Sequence, residues 1–460
     1  MSAAPSQSVT RRLAAEIAET RIEAIPPAAL AAMQRLLIDH VGITYMGAAF
    51  TGRALFSYAR ELGGRGEAVL IGDGVRAPAE LAAGINSQTC RNTDFEETGP
   101  GTHVGPLCVH TALAVGQRVG ASGRAVLAAA TLGYALCARF HFARLKDWPR
   151  TSIVHHRTVA AAISARLLGY DATKTAEVLS LAWELPPRTH QAGGAAFIHK
   201  RISSLGLGSG IAAPLVGARM GVQAATMVGH GFVSVGDEID HHLEAYDRTI
   251  LVEDPIPFHH VDGEMELKPW VASRHSQCGL QAIANLVREQ AIDPHRVSAI
   301  RLHLSNMYTA QQGWLFEPAP ANYWEAIYST QWAAAMVLQD VPAGPKWFTP
   351  ARLADPLTRK LAAMVEIVED PESSKAYWGV NWLDIRGTAE ITVGGKVHRA
   401  RCTMRETYGS PRMDMTEAMV EQKFLESTST TLPTDRARRL LALLRRLEEI
   451  RDVNEIAAAM

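Results

Sequence analysis

The chain has 460 residues, of which 47% are hydrophobic and 20% charged, enough apolar material for a substantial core and too much for intrinsic disorder. Lys and Arg total 46 against 47 Asp and Glu, a formal net charge of -1. That balance excludes the broad basic surface of a dedicated nucleic-acid binder, though not a few cations gathered in a cleft.

The first half reads as helices. Val9, Leu13 and Ile17 recur every four residues, and after Pro26-Pro27 the spacing resumes with Leu30, Met33, Leu37 and Val41. Val69-Leu70-Ile71 followed by Gly72-Asp73-Gly74 predicts a short strand and a turn. Pro106 opens a helix through Val115, Gly120–Gly123 breaks it, and Ala-rich helices run over Ala125–Arg139 and Val159–Leu168. Alanine at that density lets helices approach closely. Asp237–His242 reads as an exposed acidic loop.

The pattern changes near Glu264. Val297–Leu304 alternates, with Ile300, Leu302 and Leu304 on one face and Arg301 and His303 on the other. Met364–Val368 is a second strand, and Ala389–Val393 and Lys396–Met404 flank Gly394-Gly395 as a hairpin. Helical pattern lies between them, at Leu280–Glu289 and Trp324–Leu338. After Pro411 helices return, with Leu440, Leu443, Leu444 and Leu447 as an apolar stripe. The expected fold is mainly α with a smaller α+β part. An all-helical domain is formed by both chain ends, 1–263 and 411–460, and an α+β lid, 264–410, is inserted between them.

The five cysteines are scattered and form no CxxC pair, so neither a disulfide framework nor a structural zinc site is expected, and a reducing cytoplasm is the natural compartment. The N-terminus lacks the apolar stretch of a secretory signal. The longest uncharged run, around Leu205–Ala218, is too short and too Gly-rich to span a bilayer, so no membrane association is expected.

Three stretches carry side chains suited to chemistry. In Asn92–Pro106 a Gly/Pro loop holds Asp94, Thr98 and His103 directly before a helix. Asp94 and His103 can act as acid and base there, and the helix N-terminus favours an anion. Lys268–Cys278 places Lys268, Arg274 and His275 at the compositional boundary, where small-molecule sites are common. The third, Phe197–Arg201, carries Lys200 among glycines. Gly206–Gly210 does not fit GxGxxG and no strand precedes it, so no dinucleotide site is expected. The pairs His155-His156, His241-His242 and His259-His260 point about 100° apart on a helix and make poor chelators, so no metal is expected.

Taken in order, these stretches resemble the MmgE/PrpD family. Leu37–Ile43 is similar to its early LLDxxG helix, Asp94–Thr98 with His103 to its DFDDT…HPG loop, and Lys200 to the lysine of its TK segment. Lys268 with Arg274-His275 resembles KPYPxCRH, Tyr323–Trp332 resembles ARFSxPY, and Tyr408–Pro411 through Lys423-Phe424 resembles the closing PxGxPxxPLT…KF. The chain departs in reading His-Val-Gly after Thr102, Glu96-Glu97 for Asp-Asp, and Trp332 for a tyrosine. It has Pro149 or Arg150 near a family histidine, with His155 and His156 a turn later.

The resemblance implies a helical domain plus lid, a homodimer, and a site in the cleft between the two domains that needs no metal, flavin or nicotinamide. It implies catalytic roles for Asp94, Thr98, His103 and His275, and substrate-carboxylate binding by Lys200, Lys268 and Arg274. The implied activity is a lyase that dehydrates or decarboxylates a small di- or tricarboxylic acid by proton abstraction beside a carboxylate. The alternatives are an epimerase or isomerase of an iminodisuccinate-like dicarboxylate and, less favoured, a non-catalytic carboxylate binder.

Overall fold

Ser8 opens the first helix by accepting the Arg11 N–H, and Val9–Glu19 then buries Val9, Leu13 and Ile17. In this computed structural model, residues 8–99, 103–142, 152–184, 213–244, 256–306, 318–378 and 382–460 are described. Lys200 lies outside them.

Pro27 occupies the first turn of Pro27–Gly47, where its missing N–H costs nothing. From Leu36 to Gly47 this helix is buried on every face. Such a helix must be surrounded, and Ala79–Arg91, Gly123–Phe142 and, from the far end of the chain, Glu417–Thr428 all pack on it. Gly105–Val119 ends on Gly120 in the left-handed conformation, as the Gly120 break predicts. Ser152–Leu167 and Ala213–Gly229 pack face to face, the first carrying four alanines and the second both Ala and Gly. Among the described residues no helix is long and apolar enough to cross a membrane.

The fold is mainly α with a smaller α+β part. A two-residue pair, β1 (Ala68–Val69) with β2 (Arg76–Ala77), stands in the helical part. The other sheet has the order β4-β3-β5-β6, from β3 (Val297–Leu304), β4 (Val365–Glu369), β5 (Arg386–Val393) and β6 (Lys396–Thr403). β4 runs parallel to β3, whereas β5 and β6 are antiparallel. Gly394 and Gly395 both have positive φ, as a tight hairpin turn requires. Ile300, Leu302 and Leu304 face inward on β3, and Gln277–Gln290 covers β5 and β6. The apolar core of this part also takes in Ile43, Met46, Cys90 and Phe95 from the helical part, so the two parts share a continuous interior at Phe95.

Four local expectations change. Leu70 and Ile71 lie beyond the two-residue β1, because Gly72 and Gly74 turn the chain at once. Trp324–Leu338 is two helices, Tyr323–Ile327 and Thr330–Leu338, since Ser329 accepts the Trp332 N–H and caps the second. The stripe of Thr434–Arg445 buries Ala437, Leu440, Leu441 and Leu444, with Leu443 only half-buried. Asp237–His242 is not an exposed loop. Glu238–Glu244 is helical, and Asp240 accepts from Ser8, Val9 and Thr10, fastening the start of the first helix. All five cysteines are buried and unpaired.

Candidate active site

The loop after Ala79–Arg91 is shaped by three residues. Thr93 donates its hydroxyl to the Cys90 carbonyl and accepts the Phe95 N–H, which turns the chain off the helix. Asp94 follows at φ 47°, a left-handed conformation that Asp tolerates better than most residues. Phe95 then plugs the apolar core beneath, with Lys423 Nζ 3.8 Å above its ring centre. Tyr323 locks the loop from the other side by donating to the Asn92 carbonyl.

So held, the loop presents its carboxylates to cations. Asp94 Oδ1 lies 3.0 Å from Lys268 Nζ and 3.6 Å from Arg91 Nη1. Glu96 Oε1 lies 2.8 Å from Arg91 Nη1, 3.0 Å from His103 Nδ1 and 3.9 Å from Lys268 Nζ. Burial would raise the Glu96 pKa, but the charges of Arg91, Lys268 and His103 overcome it and hold the carboxylate ionised well below its usual range.

Glu97 serves a second network. Its Oε2 lies 2.9 Å from His40 Nε2, and its Oε1 accepts the Gly105 N–H at 2.7 Å. The N-terminus of Gly105–Val119, which the sequence suggested for a substrate anion, is therefore already occupied by the protein's own carboxylate. His40 Nδ1 lies 3.3 Å from Asp39, and Asp39 pairs with Lys423 at 2.6 Å. Burial pulls the His40 pKa down, yet hydrogen bonds to Asp39 and Glu97 and their charges push it up to about 9. Lys423 also donates to the carbonyls of Phe95 and Lys268. This chain of alternating charge joins the Pro27–Gly47 helix, the loop and the Glu417–Thr428 helix.

His103 Nδ1 lies 2.9 Å from the Glu97 carbonyl as well as 3.0 Å from Glu96. Both neighbours only accept, so the network assigns a proton to Nδ1 and leaves Nε2 outside these two contacts. The His103 side chain is 29% exposed, unlike the ion pairs around it.

Of the expected residues, Asp94, Thr98, His103, Lys268, Arg274 and His275 come together. Thr98 pairs with Glu266 in an antiparallel bridge, which joins the loop to the segment leading into Lys268. Arg274 Nε stands 3.1 Å from Glu266 Oε2. His275 packs edge-on against Tyr377. Burial, then the charges of Arg274, Lys268 and His103, push its pKa down to about 3, so it is neutral. Lys268 is fully buried and donates to both the carbonyl and carboxylate of Asp94. It organises the loop at least as much as it offers a charge.

Trp332 is a core residue, donating its indole N–H to the Trp347 carbonyl. Tyr328, not position 332, brings a phenol within electrostatic reach of Arg91.

His156 is buried with neither ring nitrogen hydrogen-bonded. Burial, with the charges of His103 and Arg91, pushes its pKa down to about 4. Thr98 Oγ1, Tyr134 Oη and His275 Nδ1 are likewise buried and unpartnered. Native interiors rarely leave such groups unsatisfied, which sets these atoms apart from the rest of the core. A cavity of about 280 Å³ between Trp270, Gln281, Tyr408, Met415 and Lys423 contains none of these residues. Of the charged network, that cavity is lined by Lys423.

Arg91, His40, Glu96, Glu97, His156, Glu266 and Lys423 join the network without having been among the expected site residues. The legible signals were Glu96-Glu97 beside Asp94, seen as a departure from Asp-Asp, His156 near a family histidine position, and the motifs that contain His40 and Lys423.

Comparison with known proteins now fixes the lineage. Residues 11–250 match the MmgE/PrpD N-terminal domain and residues 270–449 the MmgE/PrpD C-terminal domain. This chain belongs to the MmgE/PrpD family. It is also 23% identical to human cis-aconitate decarboxylase, in an alignment covering 99% of this chain and 95% of that protein. The family positions of the DFEET loop and of Lys268 are thus the ones that converge in space in this MmgE/PrpD protein.

Proposed function

We propose that this MmgE/PrpD protein is a cofactor-independent lyase that dehydrates or decarboxylates a small di- or tricarboxylic acid. The observation that carries the proposal is His103. Its Nδ1 is tied to Glu96 and the Glu97 carbonyl, its Nε2 is left as the acid or base, and Arg91, Lys268 and Arg274 stand around the same cluster.

A proton on a carbon beside a carboxylate is hard to remove because the resulting carbanion is unstable in water. Delocalised into the carboxylate it becomes an enediolate, and fixed cations in a water-poor site meet that charge without reorganising. His103 Nε2 would move the proton, a role worth roughly 10²–10⁴-fold. Thr98 Oγ1, Tyr134 Oη and neutral His156 and His275 supply unpartnered polar atoms for the carboxylate and hydroxyl groups of the substrate. Lys200, outside the described residues, is kept as a substrate-binding lysine on the family motif.

The family membership and the human decarboxylase support a lyase-type reaction. The same proposal carries the division into 1–263, 264–410 and 411–460, a homodimer, and a cytoplasmic site of action. Incubation with a panel of small polycarboxylates in D2O, followed by NMR, tests it. Alkene formation or CO2 release is expected. Deuterium wash-in with inversion and no loss of water or CO2 would replace the lyase with an epimerase, and absence of any exchange would leave only carboxylate binding.

A further inference from the structure

Glu266 lies outside every stretch singled out in the sequence. Thr98 N–H donates to the Glu266 carbonyl at 2.9 Å and Glu266 N–H to the Thr98 carbonyl at 2.8 Å. Residues directly opposed across an antiparallel bridge send their side chains to the same face. The Glu266 carboxyl therefore shares a face with the Thr98 hydroxyl, and both are buried. Neither carboxyl oxygen of Glu266 makes a hydrogen bond, and neither does Thr98 Oγ1. Arg274 Nε is close to Glu266 Oε2, at 3.1 Å, but not aligned as a donor. A buried carboxyl in that condition lacks partners that a ligand would supply.

We propose that Glu266 is a proton-donating carboxylic acid of this site, acting on the small polycarboxylate substrate. The assignment rests on the lyase proposal above. Burial pushes the Glu266 pKa up to about 7 against the lowering charges of Arg274 and Lys268, so the acid form is populated near neutrality. The groups that face it are Lys268, Arg274 and the Cys278 thiol from its own side, and Thr98 from the loop.

In a decarboxylation the bond from carbon to the departing carboxylate breaks. Its electron pair stays on that carbon, conjugated with a neighbouring carboxylate. The carbon then takes the proton from Glu266, whose O–H bond breaks. Glu266 is left as a carboxylate beside Arg274 and regains a proton from solvent. In a dehydration His103 Nε2 takes the proton from the carbon beside the carboxylate, that C–H electron pair becomes the C=C bond as the C–O bond breaks, and the Glu266 proton goes to the leaving hydroxyl, which departs as water.

Glu266→Gln keeps the shape and hydrogen-bonding capacity but has no proton to transfer. One readout needs no substrate. Infrared difference spectra of the intact protein, stepped from mildly acidic to mildly alkaline pH, should show a protonated-carboxyl band that fades near neutrality in the wild type and is missing in Glu266→Gln. The other uses whichever acid the wild type consumes. Glu266→Gln should lower kcat roughly 10²-fold, hold KM within about threefold, and lose the alkaline fall of kcat. Glu266→Asp, which keeps an acid, should recover part of kcat with that alkaline limb displaced, and serves if the Gln variant does not fold. The same band in both proteins, or wild-type kcat with an unchanged pH profile in Glu266→Gln, overturns the assignment. If the wild type consumes no acid, the lyase proposal fails and the infrared band alone decides whether Glu266 is a neutral acid.

Discussion

Lys268 Nζ lies 3.0 Å from Asp94 Oδ1 and 2.9 Å from the carbonyl oxygen of the same residue. One ammonium thus grips both the side chain and the backbone of a residue held at φ 47°. The Asp94 conformation is sparsely populated, and costs of order 1–3 kcal/mol are typical for such positions. Lys268 offsets that cost, which links the shape of the Asp94 loop to a residue 174 positions away in the chain.

Lys268→Ala removes this grip and leaves Asp94 buried beside Arg91 alone. Breaking one partner of a buried ion pair costs about 3–5 kcal/mol. Urea denaturation should show a loss of that order, together with loss of turnover. A midpoint equal to the wild type would show that Lys268 does not organise the loop.

His103→Gln separates chemistry from stability. The side chain is partly exposed, and a glutamine can still donate to Glu96. Stability should change by less than about 1 kcal/mol, while kcat falls roughly 10²–10⁴-fold. Thermal melts and steady-state rates on the acid found by NMR check both halves.

His40 makes stability depend on alkaline pH. Its folded pKa, about 9, lies above the ordinary 6.5, so the folded state binds the proton more tightly. The stability it contributes is complete below 6.5 and is lost as pH rises through about 9. The whole effect is roughly 3 kcal/mol. His40→Gln should be less stable than the wild type at neutral pH and flatter between neutral and alkaline pH in urea titrations. A slope identical to the wild type would remove His40 from the network.

His156 works in the opposite direction. Its folded pKa, about 4, lies below the ordinary 6.5, so its stability contribution is complete above 6.5 and is lost as pH falls through about 4. A bound polycarboxylate that accepts a hydrogen bond from the protonated ring would reduce this penalty. His156→Asn should therefore weaken ligand binding and blunt acid destabilisation, measured by calorimetry and by pH-dependent melting.

Gly409→Ala tests the joint between the C-terminal segment and Lys268. Gly409 has φ 83°, accepts the Leu267 N–H at 2.8 Å, and a Cβ there would lie 1.8 Å from the Leu267 carbonyl oxygen. Strain alone costs roughly 1–3 kcal/mol, and the clash would displace the backbone that carries Lys268. Reduced stability with disproportionate loss of turnover is expected. A fully active, equally stable variant would show that this joint yields freely.

Much of the fold was legible because it rests on local periodicity. The four-residue spacing of Val9, Leu13 and Ile17, the alternation of Val297–Leu304 and the Gly394-Gly395 turn each act over a few residues, and each was found. Boundaries that depend on a single cap, such as Ser329 splitting Tyr323–Leu338, were not.

The site divides along the same line. Residue types and order along the chain, with the family resemblance, put forward Asp94, Thr98, His103, Lys268, Arg274 and His275 as candidates, because a loop of acids before a helix and a cationic stretch at a compositional boundary are local features. Which charge meets which was settled only by folding. Pro27–Gly47 supplies Asp39 and His40, Glu417–Thr428 supplies Lys423, and the bridge from Thr98 supplies Glu266. Burial strips water from these groups, so their protonation is set by neighbours brought from hundreds of residues away. The near-zero net charge of the whole chain could not show this, since it counts charges without saying which of them share an interior.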